Sequence, residues 1–298
     1  MIKNLDQLVS QAKQKGPQTI SVAGADDLNV LESINMSHQQ NLITPVLLGN
    51  KAKIMQLSSE IDFNVSSAEI IHTESPQQSS LQAVKLVSSG QADFLMKGMV
   101  PTSTFLKAVL DKEIGLATGR ILSHCAILSL DTYPKLLMIT DGGMNEHPDL
   151  PTKIQIIVNA IHLAEKLGIN KPKIAALAAV ETISTKQPET IDAAQLSKMS
   201  QRGQLGNCIL DGPLAIDVAI SEKSARHKQI TSEVAGQVDI LLVPSMAAGN
   251  MLAKSWIYLA KAQAAGTILG TSRPVVMLSR SDDPVTKLRS IALGVMMC

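Results

Sequence analysis

Residues 274–294 read PVVMLSRSDDPVTKLRSIALG, and the class of fold follows from how that stretch is divided. A short apolar run, Val275, Val276, Met277 and Leu278, stops at a cluster of polar residues before a pattern of helical period begins. The run is too short for a helix and rich in β-branched residues, so it reads as a strand of a covered parallel sheet. Its polar end then lies at the carboxyl edge of that sheet, where open α/β folds bind their ligands. Ser279 and Arg280 are site candidates on this placement alone; a capped loop is the other reading of the same pattern.

Working outward, the same alternation of short apolar runs and longer amphipathic stretches continues through the chain. Strands are expected at 19–24, 45–49, 69–73, 93–98, 124–130, 135–140, 173–180, 239–245 and 274–278, with helices at 79–90, 151–168 and 249–266. Such alternation predicts an α/β architecture of mainly parallel sheets with helices on both faces. HCAILSLDTYPKLLMITD (124–141) differs, because two strands separated by Asp131-Thr132-Tyr133-Pro134 form an antiparallel hairpin. The apolar pattern is broken most clearly in TDGGMNEHPDLP, at Asp141, Gly142, Gly143, Asn145 and two prolines. A two-domain protein with its site in the intervening cleft follows from that break.

Composition narrows the function classes. With 298 residues and 45% apolar content the chain has ample core for one large or two ordinary domains. Twenty-seven basic and 26 acidic residues leave a formal charge of +1, so no overall field draws nucleic acid or an anionic membrane. Aromatic residues make up only 2% of the chain, which argues against base-stacking platforms. Cys125, Cys208 and Cys298 are odd in number and lack paired ligand spacing, so neither a disulfide framework nor a zinc site is expected. The opening MIKNLDQLVSQAKQKG lacks the apolar core of a signal peptide, and no stretch is long enough to span a bilayer. The expectation is a cytoplasmic protein that binds neither nucleic acid nor membrane and carries no metal.

Three loops combine glycine with polar groups. In MKGMVPTSTF (96–105), Lys97 and Gly98 end a strand, and Thr102, Ser103 or Thr104 is placed to cap the following helix. A helix start attracts phosphate and Lys97 adds a full charge; ordinary capping is the alternative. In PSMAAGNMLAKSW (244–256), Gly249 permits close backbone approach, and Asn250 either caps or contacts a ligand. Lys254 lies one helical turn beyond Asn250 on the same face, which suits an anion clamp and a solvated helix surface equally. No GxxxxGKT or GxGxxG motif accompanies these loops, so an ATP or dinucleotide site lacks its usual support. In SRSDDP, arginine is suited to hold phosphate bidentately, serine offers a donor and acceptors, and Asp282 and Asp283 are carboxylates placed to take a proton. No GxSxG elbow is present and no histidine pairs with Ser279, so a serine hydrolase is not indicated.

Weaker candidates surround these. Arg120 follows a glycine turn and either reaches an anionic ligand or lies on the surface. Asn145, in the polar break, joins the binding candidates. His124 reads as an interior or hairpin residue, with a catalytic base as the alternative, Cys125 as a core residue rather than a nucleophile, and Asp211, before Gly212-Pro213, as a turn former or a residue of the cleft.

Taken in order, KGMVPTSTFLKAVL, TDGGMNEHPDLPTKIQI, LDGPLAIDVAIS, VPSMAAGNMLAKSWIYLAKAQAAGTILG and PVVMLSRSD resemble the phosphate acetyltransferase and phosphate butyryltransferase family across the last two-thirds of the chain. LATGRILSHCAIL and SRSDDPVTKLRSIAL look closer to the butyryl branch, and Gly266-Thr267-Ile268-Leu269 stands where the acetyl branch has GPIL. The resemblance implies reversible transfer of a short acyl group, butyryl or similar, between coenzyme A and inorganic phosphate, with coenzyme A as a substrate and no bound cofactor. It implies a homo-oligomer and a fold similar to the isocitrate and isopropylmalate dehydrogenases. In that fold residues 1–140 and 272–298 form the first domain, and 141–271 the second. Ser279 is implied as a hydroxyl that contacts the reacting oxygens, and Arg280 as the cation that stabilises phosphate or the developing oxyanion. Lys97 and Arg120 are implied as phosphate contacts, and Gly249, Asn250 and Lys254 as contacts to coenzyme A or phosphate. The acetyl branch keeps an aspartate seven positions after the serine, where this chain has Thr286. Asp282 and Asp283 are the nearby carboxylates, out of register, that remain for the thiol proton. Rival expectations are another acyl-phosphate-forming enzyme on the same scaffold, such as one acting on acetyl-CoA or an acyl carrier protein, and an acyl-CoA-binding protein without turnover.

Overall fold

A computed structural model describes residues 2–279 and 282–298, with only the backbone of Ser67. Arg280 and Ser281 lie outside the described residues. The strands are β1 (Gln18–Ala23), β2 (Ile43–Gly49), β3 (Glu69–His72), β4 (Phe94–Lys97), β5 (Ser123–Ser129), β6 (Leu137–Thr140), β7 (Lys173–Leu177), β8 (Ile209–Leu214), β9 (Ile240–Leu242), β10 (Gln263–Leu269) and β11 (Val275–Val276). The chain divides into two compact units, one of Asp6–Arg120 with Ala265–Cys298, the other of residues 2–5 with Ile121–Ala264.

In the first unit the strands run in the order β3-β2-β1-β4-β11-β10. All neighbours are parallel except β10 and β11. β11 sets Val275 against Leu95 and Val276 against Met96. Parallel strands covered on both faces need continuous apolar runs, and every residue of β4 is buried. Ile20, Leu47, Phe94 and Val276 pack with Leu31 and Ile34 of helix Leu28–Gln39 and with Ile291 and Val295 of helix Pro284–Met297. Gly294 lets that last helix approach the sheet, since a Cβ there would lie 2.7 Å from Cε2 of Phe94.

The second unit orders its strands β5-β6-β9-β7-β8. The expected hairpin is present: β5 and β6 are antiparallel, with Cys125 opposite Thr140, and the remaining pairs are parallel. Residues 121–140, grouped with the first domain in the sequence reading, cluster here because β6 pairs alongside β9. Ile139, Ala175, Leu241 and Val218 form its core, and Trp256 packs against it from helix Met246–Tyr258.

Two expectations are corrected. The helix read over 249–266 ends at Tyr258, and Gln263–Leu269 is β10, buried from Ala264 onward. Alanine-rich AQAAG favours a helix in isolation, but burial within a sheet overrides that preference. There Ser290 accepts the Gly266 N–H at 3.0 Å and Thr267 Oγ1 donates to the Val275 carbonyl at 3.1 Å. Asp211 is not a turn residue. It lies within β8, where its Oδ1 accepts the Gly212 N–H at 2.8 Å and the Ser197 hydroxyl at 3.3 Å.

Candidate active site

The first cluster lies at the carboxyl edge of β4 and β11. Lys97 ends β4 and is only 6% exposed. Its Nζ donates to the carbonyls of Gly98 at 3.1 Å and Val100 at 3.2 Å, so the ammonium holds the turn that follows the strand. Gly98 is required in that turn, because a Cβ would meet the Gly24 carbonyl oxygen at 2.2 Å. The expected hydroxyl cap is absent: helix Thr102–Val109 begins from Pro101 with no side-chain cap. Thr102, Ser103 and Thr104 fall inside the first turn, one to three positions too late to serve as cap.

Past β11, Ser279 is exposed, and its N–H donates to Asp282 Oδ2 at 2.9 Å. The Asp282 N–H returns to the Ser279 carbonyl at 3.2 Å, so the two residues are bonded in both directions. Asp283 caps helix Pro284–Met297 by accepting the Thr286 N–H at 2.6 Å. Both carboxylates considered for the thiol proton therefore hold local amides. Lys287, 5% exposed, donates its Nζ to the Asp282 carbonyl. Asp27, Lys97, Met99, Ser279 and Lys287 line one small recess. Lys287 was missed in the sequence, although a lysine in step with Leu288 and Ile291 on the buried face of a helix is itself a signal. Arg120 is exposed after Gly119, with its N–H 3.4 Å from the Thr118 hydroxyl.

The second cluster belongs to the unit Ile121–Ala264. Asp141 follows β6 and is 1% exposed. Its Oδ1 accepts the N–H groups of Gly143 at 2.8 Å and Met144 at 2.9 Å, while its Oδ2 accepts Nδ2 of Asn145 at 2.5 Å. Asn145 Nδ2 also donates to the Leu122 carbonyl at 2.9 Å, so its two N–H groups brace the loop. Gly142 and Gly249 touch: a Cβ on Gly249 would lie 2.9 Å from the Gly142 Cα. Asn250 Nδ2 donates to the Gly142 carbonyl at 3.3 Å. The cap of helix Met246–Tyr258 is Ser245, not Asn250, which sits within the helix one turn before Lys254; both are exposed.

His124 packs its ring against Gly143, where a Cβ would approach Cγ to 3.0 Å. Burial, and secondarily the Asp141 charge, push the Cys125 thiol far above its ordinary range. Held protonated, Cys125 is a core residue and not a nucleophile. Among the described residues no group of three or more His, Cys, Asp or Glu is arranged to hold a metal, and no helix is long and apolar enough to cross a membrane.

Solved structures share this architecture. A branched-chain phosphotransacylase from Enterococcus faecalis aligns with a TM-score of 0.85 at 32% identity, covering 94% of this chain and 98% of that one. A 4-hydroxythreonine-4-phosphate dehydrogenase from Klebsiella pneumoniae aligns with a TM-score of 0.58 at 12% identity and shares the fold alone, of the isocitrate dehydrogenase type. The class is that of the two-unit α/β phosphate acyltransferases. Within it, the chain belongs to the family described as Phosphate acetyl/butaryl transferase, which it matches over residues 4–80 and 72–295. A phosphate butyryltransferase of Clostridium beijerinckii is 43% identical over 294 residues, 99% of this chain and 97% of that protein. A phosphate acetyltransferase of Thermotoga maritima is 40% identical over 290 residues, 97% of this chain and 98% of that protein.

Proposed function

We propose that the enzyme transfers a butyryl or similar short acyl group between coenzyme A and inorganic phosphate in the cytoplasm. The observation that carries this reading is the 43% identity to a phosphate butyryltransferase across 99% of the chain. A phosphate oxygen attacks the thioester carbonyl carbon, the C–S bond breaks, and the thiolate leaves and takes up a proton. The Ser279 hydroxyl contacts the reacting oxygens, and the Arg280 guanidinium stabilises the oxyanion that forms at the carbonyl. Asn250 and Lys254 bind coenzyme A or phosphate from their exposed helix face, and Arg120 contacts phosphate. Lys97 shapes the turn after β4 and adds positive charge to the recess. Asp282 and Asp283 shape the loop that presents Ser279. A free thiol near pKa 8.5 is ionised to a few per cent at neutral pH, so acyl-CoA synthesis has thiolate to draw on without a dedicated carboxylate.

The test is phosphate-dependent release of free thiol from a C2 to C5 acyl-CoA series. Release fastest with the C4 substrate is expected. Fastest release from acetyl-CoA would move the specificity to the acetyl branch, and calorimetric binding of coenzyme A without any release would leave a non-catalytic binder.

Lys287 is a positioning residue of this scheme, because its ammonium is spent on the Asp282 carbonyl beside Ser279. Lys287→Met removes a charge-assisted bond, and kcat should fall about tenfold with KM little changed. Lys287→Arg should restore most of kcat. A fall in thermal midpoint with kcat intact would reduce Lys287 to a structural group. Self-association is part of the proposal and is supported by Met251, Tyr258 and Leu259, which stand 66%, 66% and 84% exposed on and just beyond helix Met246–Tyr258.

A further inference from the structure

A cavity of about 430 Å³ opens within the unit Asp6–Arg120 with Ala265–Cys298, at the carboxyl ends of β1, β2 and β3. No residue assigned to acyl transfer lines it, and Met99 stands between it and the recess beside Ser279. Its volume lies in the range of small-molecule sites. The strand order β3-β2-β1-β4 reverses direction beside it, since the chain builds outward from β1 to β3 and then returns to place β4 on the other side of β1. Such switch points are where doubly wound sheets bind ligands.

The floor is fixed before any ligand arrives. Ser79, fully buried, accepts the Gly24 N–H at 2.8 Å and donates to the Leu48 carbonyl at 3.2 Å, which ties the ends of β1 and β2 together. Gly49 lacks the Cβ that would lie 2.7 Å from Asp26 Oδ1, so that carboxylate sits directly over the end of β2. The walls hold two carboxylates, Asp26 and Glu74, with the amide of Asn50 and the imidazole of His72. His72 Nδ1 accepts the Lys51 N–H at 3.3 Å, which leaves its proton on Nε2 as a donor.

This lining disfavours an anion. The amides that would make a phosphate cradle are already engaged: Lys53 N–H by Asn50 Oδ1 at 3.1 Å, Gln78 N–H by Ser75 Oγ at 3.2 Å, and Glu74 N–H by Gln78 Oε1 at 2.9 Å. Two carboxylates would also face any phosphate, and the Lys53 ammonium that could offset them is already drawn to Asp26 Oδ2 at 3.7 Å. Acceptors mixed with neutral donors suit hydroxyl groups instead, and an acidic side chain at the carboxyl edge of such a sheet characteristically takes a ribose hydroxyl. Pro76, Val100 and the 42% exposed Met99 supply an apolar wall for a flat base.

We propose that this cavity binds a ribonucleoside through its free 2′,3′-diol, as a site separate from the one that performs acyl transfer. Asp26 and Glu74 accept from the diol. Coenzyme A carries a phosphate on its ribose 3′-oxygen, so its nucleotide end is rejected here.

The experiment is calorimetry of the full chain with adenosine, guanosine, cytidine and uridine, and with adenosine 3′-monophosphate, paired with hydrogen exchange. At least one nucleoside is expected to bind and to slow exchange in 24–27, 49–53 and 72–79. Asp26→Asn should weaken that binding about tenfold while acyl transfer is unchanged, and Glu74→Gln is the second variant if the first folds poorly. Absence of heat and of protection with all four nucleosides overturns the proposal, as does undiminished binding in both variants. Tighter binding of the 3′-monophosphate than of adenosine also overturns it, and would make the cavity the nucleotide end of the coenzyme A site.

Discussion

Arg280→Ala should lower phosphate-dependent turnover of butyryl-CoA by about 10²–10³-fold, the usual loss when a preorganised donor to a developing oxyanion is removed. The charge on the carbonyl oxygen exists only as phosphate attacks, so the loss belongs in kcat, with KM for acyl-CoA little affected. Arginine differs here from any other cation because its fork holds two oxygens at once, and Arg280→Lys should recover only part of the rate. The residue is two positions before Asp282, whose carboxylate and carbonyl are fastened to Ser279 and Lys287. Stopped assays of thiol release, with thermal midpoints as a control for folding, check the effect. Near-normal turnover would remove Arg280 from the mechanism.

Asp141→Ala should lower stability by about 3–5 kcal/mol. The wild-type carboxylate accepts three hydrogen bonds at 2.5–2.9 Å while almost wholly buried. Alanine leaves the Gly143 and Met144 amides and the Asn145 side chain without that acceptor, and each such loss costs about 1–3 kcal/mol. Asp141→Asn keeps one oxygen for the two backbone amides but turns an amide nitrogen toward Asn145, so roughly half of the loss is expected. Denaturant midpoints at constant slope check both variants. An alanine variant as stable as wild type would show that the loop finds its acceptors elsewhere.

The alternation of apolar runs and helical periods was enough to read an α/β fold, because covered parallel strands leave a signal that needs only local sequence. The hairpin at 123–140 was legible for a similar reason, in the Asp-Thr-Tyr-Pro turn between its strands. β10 was not legible. Its alanines and glycine carry no strand preference, and only neighbouring strands make Gln263–Leu269 extended. Of the candidate site, Ser279 drew attention because an apolar run beginning with β11 stops on hydrophilic groups. Lys287 escaped notice, and Asp141 was read only as part of the break in the apolar pattern, because both act largely on backbone groups, which a reading of side-chain types does not weigh. The capping reading failed because the helix starts from Pro101, one position before the first of the three hydroxyl residues.

The contact between Gly142 and Gly249 restricts how this protein can vary. A Cβ on Gly142 would meet the carbonyl carbon of Gly249 at 3.0 Å and the nitrogen of Asn250 at 3.1 Å, both main-chain atoms. A side chain that collides with another side chain is relieved by a change of rotamer, but main chain has no such escape. The two positions are therefore locked to one another: neither tolerates enlargement, and no compensating replacement at the other restores the fit. Variation has to come from elsewhere in the chain, with this pair of hydrogens held constant where the loop after β6 meets helix Met246–Tyr258.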